Sequence, residues 1–159
     1  MRWRFNAGSF REAPVGELIH ETVGAIVERR GRCLLFRRRL FPVGEYTLPA
    51  GHREGDESPE ACVRREMAEE VGLEPRSLRL LAENVLLRDA CRRGADYHLW
   101  TLFGAETAGE PSLGEEGDRW GWYGTEEWAA LPLTPPTRHF LLREAPAPPS
   151  LNPGARGRP

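Results

Sequence analysis

The stretch GHREGDESPEACVRREMAEEVGL, from Gly51 to Leu73, limits what this chain can fold into more than any other segment. Ser58-Pro59-Glu60 predicts a helix start. The serine hydroxyl takes an orphan backbone N–H, proline sits where its missing N–H costs nothing, and the acid lies near the positive helix end. The helix is expected to run to about Val71, with Gly72 as a left-handed stop. On it, Arg65 and Glu69 are four residues apart, as are Glu66 and Glu70, while Glu66 and Glu69 are three apart. These groups therefore share one side of the helix. Three carboxylates held that close repel one another unless a cation sits among them. Hard oxygen donors on a semi-rigid frame suit magnesium or manganese, with waters and substrate phosphates completing the octahedron. Arg65 can brace one carboxylate, and Glu57, just before the cap, is near enough in sequence to pair with it.

A solvated face laced with salt bridges would account for any single pair of these glutamates. It does not account for the full spacing: Gly51, five residues, Glu57, seven residues, Arg65-Glu66-Met67, one residue, Glu69-Glu70, one residue, Gly72-Leu73. At roughly 7% usage for each fixed position, a chance match anywhere in the chain falls below about one in a million. The arrangement resembles the Nudix box, Gx5Ex7REUxEExGU with U a bulky apolar residue, and every position matches. The resemblance implies the Nudix fold, an α+β architecture with a mixed β-sheet sandwiched between α-helices (α/β/α). It also implies hydrolysis of a nucleoside diphosphate linked to another group. By the same resemblance Glu66, Glu69 and Glu70 ligate divalent metal, magnesium or else manganese, with the Gly51 carbonyl as a further ligand. Glu57 then lies at the edge of the metal site, paired with Arg65.

The chemistry fits independently. A pyrophosphate repels an anionic nucleophile until metal ions neutralise its charge, and bridging metals also activate the attacking water. One more carboxylate serves as general base. Glu66 is the candidate inside the box and Glu116 the candidate on a later loop, with Glu115 and Asp118 as neighbours. Arg37, Arg38 and Arg39 end a strand near the turn leading to the box; in related proteins an arginine here often contacts phosphate, which suits a bidentate fork. Arg37 is the best single guess and Arg38 the next, weighed against a solvated strand end. Trp120 is a candidate for stacking on a base. The alternation of Trp120 and Trp122 equally suits an inward, core-facing strand edge. The four histidines (His20, His52, His98, His139) show no zinc-binding spacing, and only His52, next to Gly51, is expected near the metals and substrate. Cys62 reads as a small apolar filler of the helix.

Around this segment, Thr22–Val27 and Cys33–Arg37 predict a hairpin, and Tyr46–Pro49 a short extended piece. Further strands are expected at Leu78–Arg88, Tyr97–Ala105 and Trp120–Tyr123, with short helices at Glu126–Ala130 and Arg138–Glu144. The chain of 159 residues is long enough for one core, and a single domain over residues 1–145 is expected. Residues 146–159, rich in Pro, Gly and Ala, read as a disordered tail.

Composition removes other classes. All 22 basic residues are arginine, which excludes lysine Schiff-base chemistry and a lysine-bearing phosphate loop. A formal charge of −2 argues against a stable nucleic-acid partner. No apolar run spans a bilayer, no apolar signal core is visible, and three cysteines without a CxxC pair fit a reducing cytoplasm. The partner is expected to be a small nucleotide, bound by a monomer or homodimer. The proline and tyrosine signatures of the ADP-ribose and dinucleoside polyphosphate branches are absent, as are those of the NADH and coenzyme A branches, so by elimination the expected reaction cuts a (deoxy)nucleoside triphosphate to monophosphate and pyrophosphate. ADP-ribose or a nucleotide sugar is the alternative substrate, and a non-hydrolytic nucleotide-binding regulatory module the alternative class.

Overall fold

A computed structural model describes residues 11–12, 18–89, 91, 93 and 97–142. In chain order its elements are β1 (Arg11–Glu12), β2 (Leu18–Arg29), β3 (Arg32–Arg38), β4 (Tyr46–Thr47), β5 (Ala50–His52), α1 (Pro59–Val71), β6 (Ser77–Arg88), β7 (Tyr97–Glu106), β8 (Gly117–Tyr123), α2 (Thr125–Trp128) and α3 (Pro135–Leu142). The expected tail at 146–159 and the expected helix end at Glu144 lie outside the described residues.

β2 organises the sheet. It runs parallel to β7 over Ile19–Val27, and β7 pairs antiparallel with β6. Along its other edge β2 meets β1, then β5, then β3, each antiparallel. β3 departs through a turn at Arg30-Gly31 and carries β4 and β8 antiparallel to itself. One parallel pair within an otherwise antiparallel array makes the sheet mixed.

Successive strand residues alternate between two apolar layers. Val23, Ala25 and Val27 of β2, Leu34 and Phe36 of β3, and Phe103 and Ala105 of β7 pack with Val63, Met67 and Val71 of α1. Their alternates, including Leu35, Trp100 and Leu102, pack with Leu133 and with Phe140 and Leu141 of α3. Both faces of the central strands are therefore covered, which explains continuous apolar runs such as Cys33–Phe36 in place of alternation. The architecture is the expected α/β/α sandwich.

The predicted limits of α1 hold at both ends. The Ser58 Oγ accepts the Ala61 N–H at 3.1 Å, and Pro59 opens the helix. Gly72 closes it at φ 65°, donating to the Ala68 carbonyl while Leu73 donates to Met67. Two of the last carbonyls, which a helix leaves unpaired, accept N–H groups from an incoming loop: Ser112 donates to Val71 at 2.8 Å and Gly114 to Glu70 at 3.1 Å. A Cβ at residue 114 would collide with the Glu69 carbonyl oxygen, so glycine allows the loop to lie directly on the helix. That docking carries Glu116 towards the carboxylates of α1.

Three differences from expectation have local causes. β5 is too short to give a periodic signal and is held by pairing of Ala50, Gly51 and His52 with Gly24, Val23 and Thr22. β2 begins four residues before Thr22 because its polar start, His20 and Glu21, is buried between neighbouring strands. α3 begins at Pro135 because two prolines occupy a first turn whose N–H groups need no partner.

Candidate active site

The Val23↔Gly51 pairing places the Gly51 backbone on the sheet edge facing α1. A Cβ at residue 51 would coincide with the Glu66 carboxylate, so only glycine lets that group rest against the strand. One turn further, the buried Glu70 accepts the Ala50 N–H through Oε1 at 2.7 Å. Glu69 stands at the open end of the group, its side chain 60% exposed. Arg65 ties the cluster together: Nη1 donates to Glu66 Oε1 at 2.7 Å and lies 3.5 Å from Glu69 Oε2, while Nη2 donates to the His52 carbonyl at 3.0 Å.

The charge balance is acidic. Burial, opposed by Arg65 but aided by Glu69 and Glu116, pushes the Glu66 carboxyl up to about 7. Burial also raises the Glu70 carboxyl well above its usual range, with Glu66 and Glu116 adding to the effect against the Ala50 N–H. Carboxylates in this state favour any arrangement that brings a cation to them. The donors are hard carboxylate oxygens held close enough to raise one another, so the residues fit a magnesium or manganese ion.

Gly51, Arg65, Glu66 and Glu69 line one side of a cleft of about 350 Å³, whose walls also include Arg38, His52, Asp89, Cys91, Arg93, His98 and Glu116; the buried Glu70 does not reach its surface. The volume lies in the usual range of small-molecule sites. The structure thus brings together Gly51, His52, Arg65, Glu66, Glu69, Glu116 and Arg38. Among the loop carboxylates, Glu116 lines the cleft, whereas Asp118 is bound by Arg37.

Three expected site residues lie elsewhere. Arg37 donates from Nε and Nη2 to Asp118 at 2.8 and 3.0 Å, because strand alternation sends it away from the cleft-facing Arg38. Trp120 lies opposite Phe36 in the β3–β8 register and packs against the α1 core, so it does not line the cleft. Glu57 has both oxygens engaged: Oε1 accepts Arg65 Nη2 at 2.7 Å and the Glu54 N–H at 2.8 Å, and Oε2 accepts Arg65 Nε at 3.2 Å. It braces Arg65 from behind and does not join the carboxylates facing the cleft.

The brace has a pH signature. Hydrogen bonding by Arg65 lowers the Glu57 carboxyl from its ordinary 4.5 to about 2. A depressed carboxyl contributes stability that is complete above the unfolded value and is lost as pH falls through the folded one. The resistance of the wild type to urea should therefore fall as pH drops from 4.5 to 2, and Glu57→Gln should flatten that part of the curve. Identical slopes in the two proteins would show that the bridge contributes nothing.

The opposite face of the sheet holds a cluster that sequence spacing did not reveal. His20 and His98 are paired across β2 and β7, and His52 pairs with Thr22 on the next strand. The His20 and His52 rings stack with centroids 3.7 Å apart, and His52 Nε2 lies 3.1 Å from His98 Nε2. Burial is the main cause that lowers the three imidazoles, His20 and His98 to about 4 and His52 to about 2, so they are neutral at physiological pH. Cys91 completes the group: one donor atom from each of the four residues lies within 4.8 Å of the others. Long-range strand register creates this convergence, and no short-range spacing encodes it.

Comparison with known proteins agrees with the geometry. The family model for the NUDIX domain matches residues 18–143. The human mitochondrial NAD(P)H pyrophosphatase NUDT13 is 43% identical over 81 residues, covering 48% of this chain and 23% of that protein. The NAD-capped RNA hydrolase NudC of Chromobacterium violaceum is 34% identical over 124 residues, covering 76% of this chain and 44% of that protein. The chain thus spans less than half the length of these curated relatives. Among solved structures, a MutT NUDIX hydrolase from Burkholderia pseudomallei aligns with TM-score 0.68 and 27% identity, over 80% of this chain and 98% of that one. The NUDIX domain of Shewanella oneidensis NrtR, solved with ADP ribose, shares the fold at TM-score 0.65 and 21% identity, over 78% and 84% of the two chains. Among the described residues, no helix is long and apolar enough to cross a membrane. With its complete Gly51–Leu73 motif and the fold that the motif implies, this chain belongs to the NUDIX domain family.

Proposed function

We propose that the chain is a pyrophosphohydrolase that cuts the diphosphate linkage of a nucleotide derivative with the aid of magnesium, or of manganese in its place. The observation that carries this reading is the convergence of Glu66, Glu69 and Glu70 beside the Gly51 backbone, with burial raising two of the carboxyls. Glu66, Glu69, Glu70 and the Gly51 carbonyl would hold the metal. When bound there, a divalent cation neutralises phosphate charge, acidifies an attacking water and stabilises the leaving oxygen.

The chain's own groups supply the rest. Arg65, anchored by Glu57, fixes the rotamers of Glu66 and Glu69. Glu116, delivered by the loop docked on α1, takes the proton of the attacking water, because Glu66 is already engaged by Arg65. Arg38 and Arg93, both on the cleft wall, meet the phosphates; Arg38 is held in place by donating to the Phe41 carbonyl at 2.9 and 3.2 Å. The apolar wall of Phe41, Pro42 and Trp100 receives the rest of the nucleotide.

For the substrate, the relatives favour a nicotinamide dinucleotide, since NUDT13 is named for NAD(P)H and NudC for NAD-capped RNA. The nucleoside triphosphate reading is the second, supported by the likeness to MutT-named structures. Three free cysteines suit a reducing compartment such as the cytoplasm. A panel of NADH, canonical and oxidised deoxynucleoside triphosphates, ADP-ribose and nucleotide sugars, with products identified, tests the reading. The expected result is kcat/KM highest for NADH, with both mononucleotides as products. Preference for a triphosphate, with release of pyrophosphate, would select the second reading, and silence on every compound would overturn the hydrolase class.

A further inference from the structure

We propose that His20, His52, His98 and Cys91 form a second metal site, selective for a soft divalent ion of the Zn2+ class and separate from the carboxylate cluster. The two groups share one cleft but sit on opposite faces of the sheet edge. Gly51 turns its backbone towards α1, while the next residue, His52, points to the other face, as strand alternation requires.

The donor set decides the ion. It comprises three imidazoles and a thiol, with no carboxylate among the four. Magnesium and calcium select oxygen donors, whereas imidazole with thiolate selects zinc and its neighbours. The donor spacing is near what such an ion needs, and the stacked rings would turn to aim their nitrogens at it. With Zn–N bonds of about 2.0–2.1 Å, two ligands of a tetrahedral site stand about 3.3 Å apart. His52 Nε2 and His98 Nε2 are already 3.1 Å apart, and all four donors lie within 4.8 Å of one another.

The surroundings support the assignment. Histidine ligands are commonly oriented by a carboxylate on their other ring nitrogen. Here the buried His98 Nδ1 makes no hydrogen bond among the described residues, and Asp89 Oδ2 lies 3.7 Å away, on the side of the ring opposite His52, where a small turn of the ring would close the contact. The rings are rigidly placed, since β2, β5 and β7 hold one histidine each at adjacent register positions. The nearby cation Arg93 is offset by Glu54 at 3.9 Å. Binding would release the Cys91 thiol proton and tie Cys91 to three strands. One wall of the cleft would then be fixed beside the carboxylates.

The test uses the metal-free full chain titrated with Co2+, a spectroscopic substitute for Zn2+. The expected result is a saturable set of intense visible bands typical of tetrahedral cobalt, with a thiolate-to-cobalt charge-transfer band in the ultraviolet. Zn2+ should abolish both at stoichiometric amounts, and excess Mg2+ should not. Cys91 is only partly buried, so Cys91→Ser should fold and lose the charge-transfer band. Asp89→Asn should keep the bands but weaken binding roughly 10- to 100-fold, and Glu69→Gln should leave both unchanged. Weak octahedral spectra, displacement by Mg2+, or a spectrum unaltered in both Cys91→Ser and His98→Gln would overturn the proposal.

Discussion

Glu69→Gln and Glu70→Gln should each lower kcat by roughly 10²- to 10³-fold, the rate equivalent of losing several kcal/mol of charge stabilisation at the reacting phosphate. Both changes preserve shape, and the Glu70 side-chain oxygen that accepts the Ala50 N–H has an amide counterpart in glutamine. The fold should therefore survive. Stability should move the other way from activity. Burial and the neighbouring Glu66 raise the Glu70 carboxyl in the metal-free protein, so replacing it removes a source of repulsion. Metal-free Glu70→Gln should melt at or above the wild-type temperature while turning over far more slowly, as is common where a site is organised for chemistry at a cost in stability. Wild-type turnover in either variant would remove these residues from the machinery.

The second large effect is expected at Gly51→Ala. The added methyl would fall on the carbon and both oxygens of the Glu66 carboxylate, the mobile end of a side chain. The backbone pairing of Gly51 with Val23 has no reason to break. The carboxylate must instead swing away, and its 2.7 Å bond from Arg65 Nη1 goes with it. Misplacing a reacting group by about 1 Å can cost roughly 10²-fold in rate, and a loss of at least that size is expected here with a circular-dichroism spectrum unchanged. Turnover within a factor of about two of wild type would show that the position of Glu66 against the strand is irrelevant.

Much of this arrangement was legible in the chain because the decisive information is local. α1 carries its own N-cap, first-turn proline and C-terminal glycine, and its glutamates follow the helical period, so the helix limits and the shared carboxylate face could be read within one segment. The middles of the central strands β2, β3 and β7 were legible for the same reason, since apolar runs mark elements buried on both faces. What depends on register between distant strands was not. Three consecutive arginines, Arg37 to Arg39, give no sign of which one faces the cleft. The β3–β8 pairing decides it, giving Arg37 to Asp118 and leaving Arg38 on the cleft wall. Trp120 is drawn into the core by its place opposite Phe36. The three stacked histidines come from residues 20, 52 and 98, joined only by the neighbouring of β5, β2 and β7. Glu57 was readable as the partner of Arg65, but only the geometry shows its oxygens fully occupied there.

The central claim is that the α1 carboxylates hold a divalent cation used to hydrolyse a nucleotide diphosphate. The measurement that tests it most directly is turnover of NADH and of deoxynucleoside triphosphates by the metal-stripped protein as Mg2+ is added, with products identified and Glu69→Gln run alongside. The expected result is no turnover without metal, saturable activation by Mg2+, cleavage only at the diphosphate linkage, and a near-silent variant. Nucleotide binding without hydrolysis at any Mg2+ or Mn2+ concentration, or equal rates in the wild type and Glu69→Gln, would contradict it.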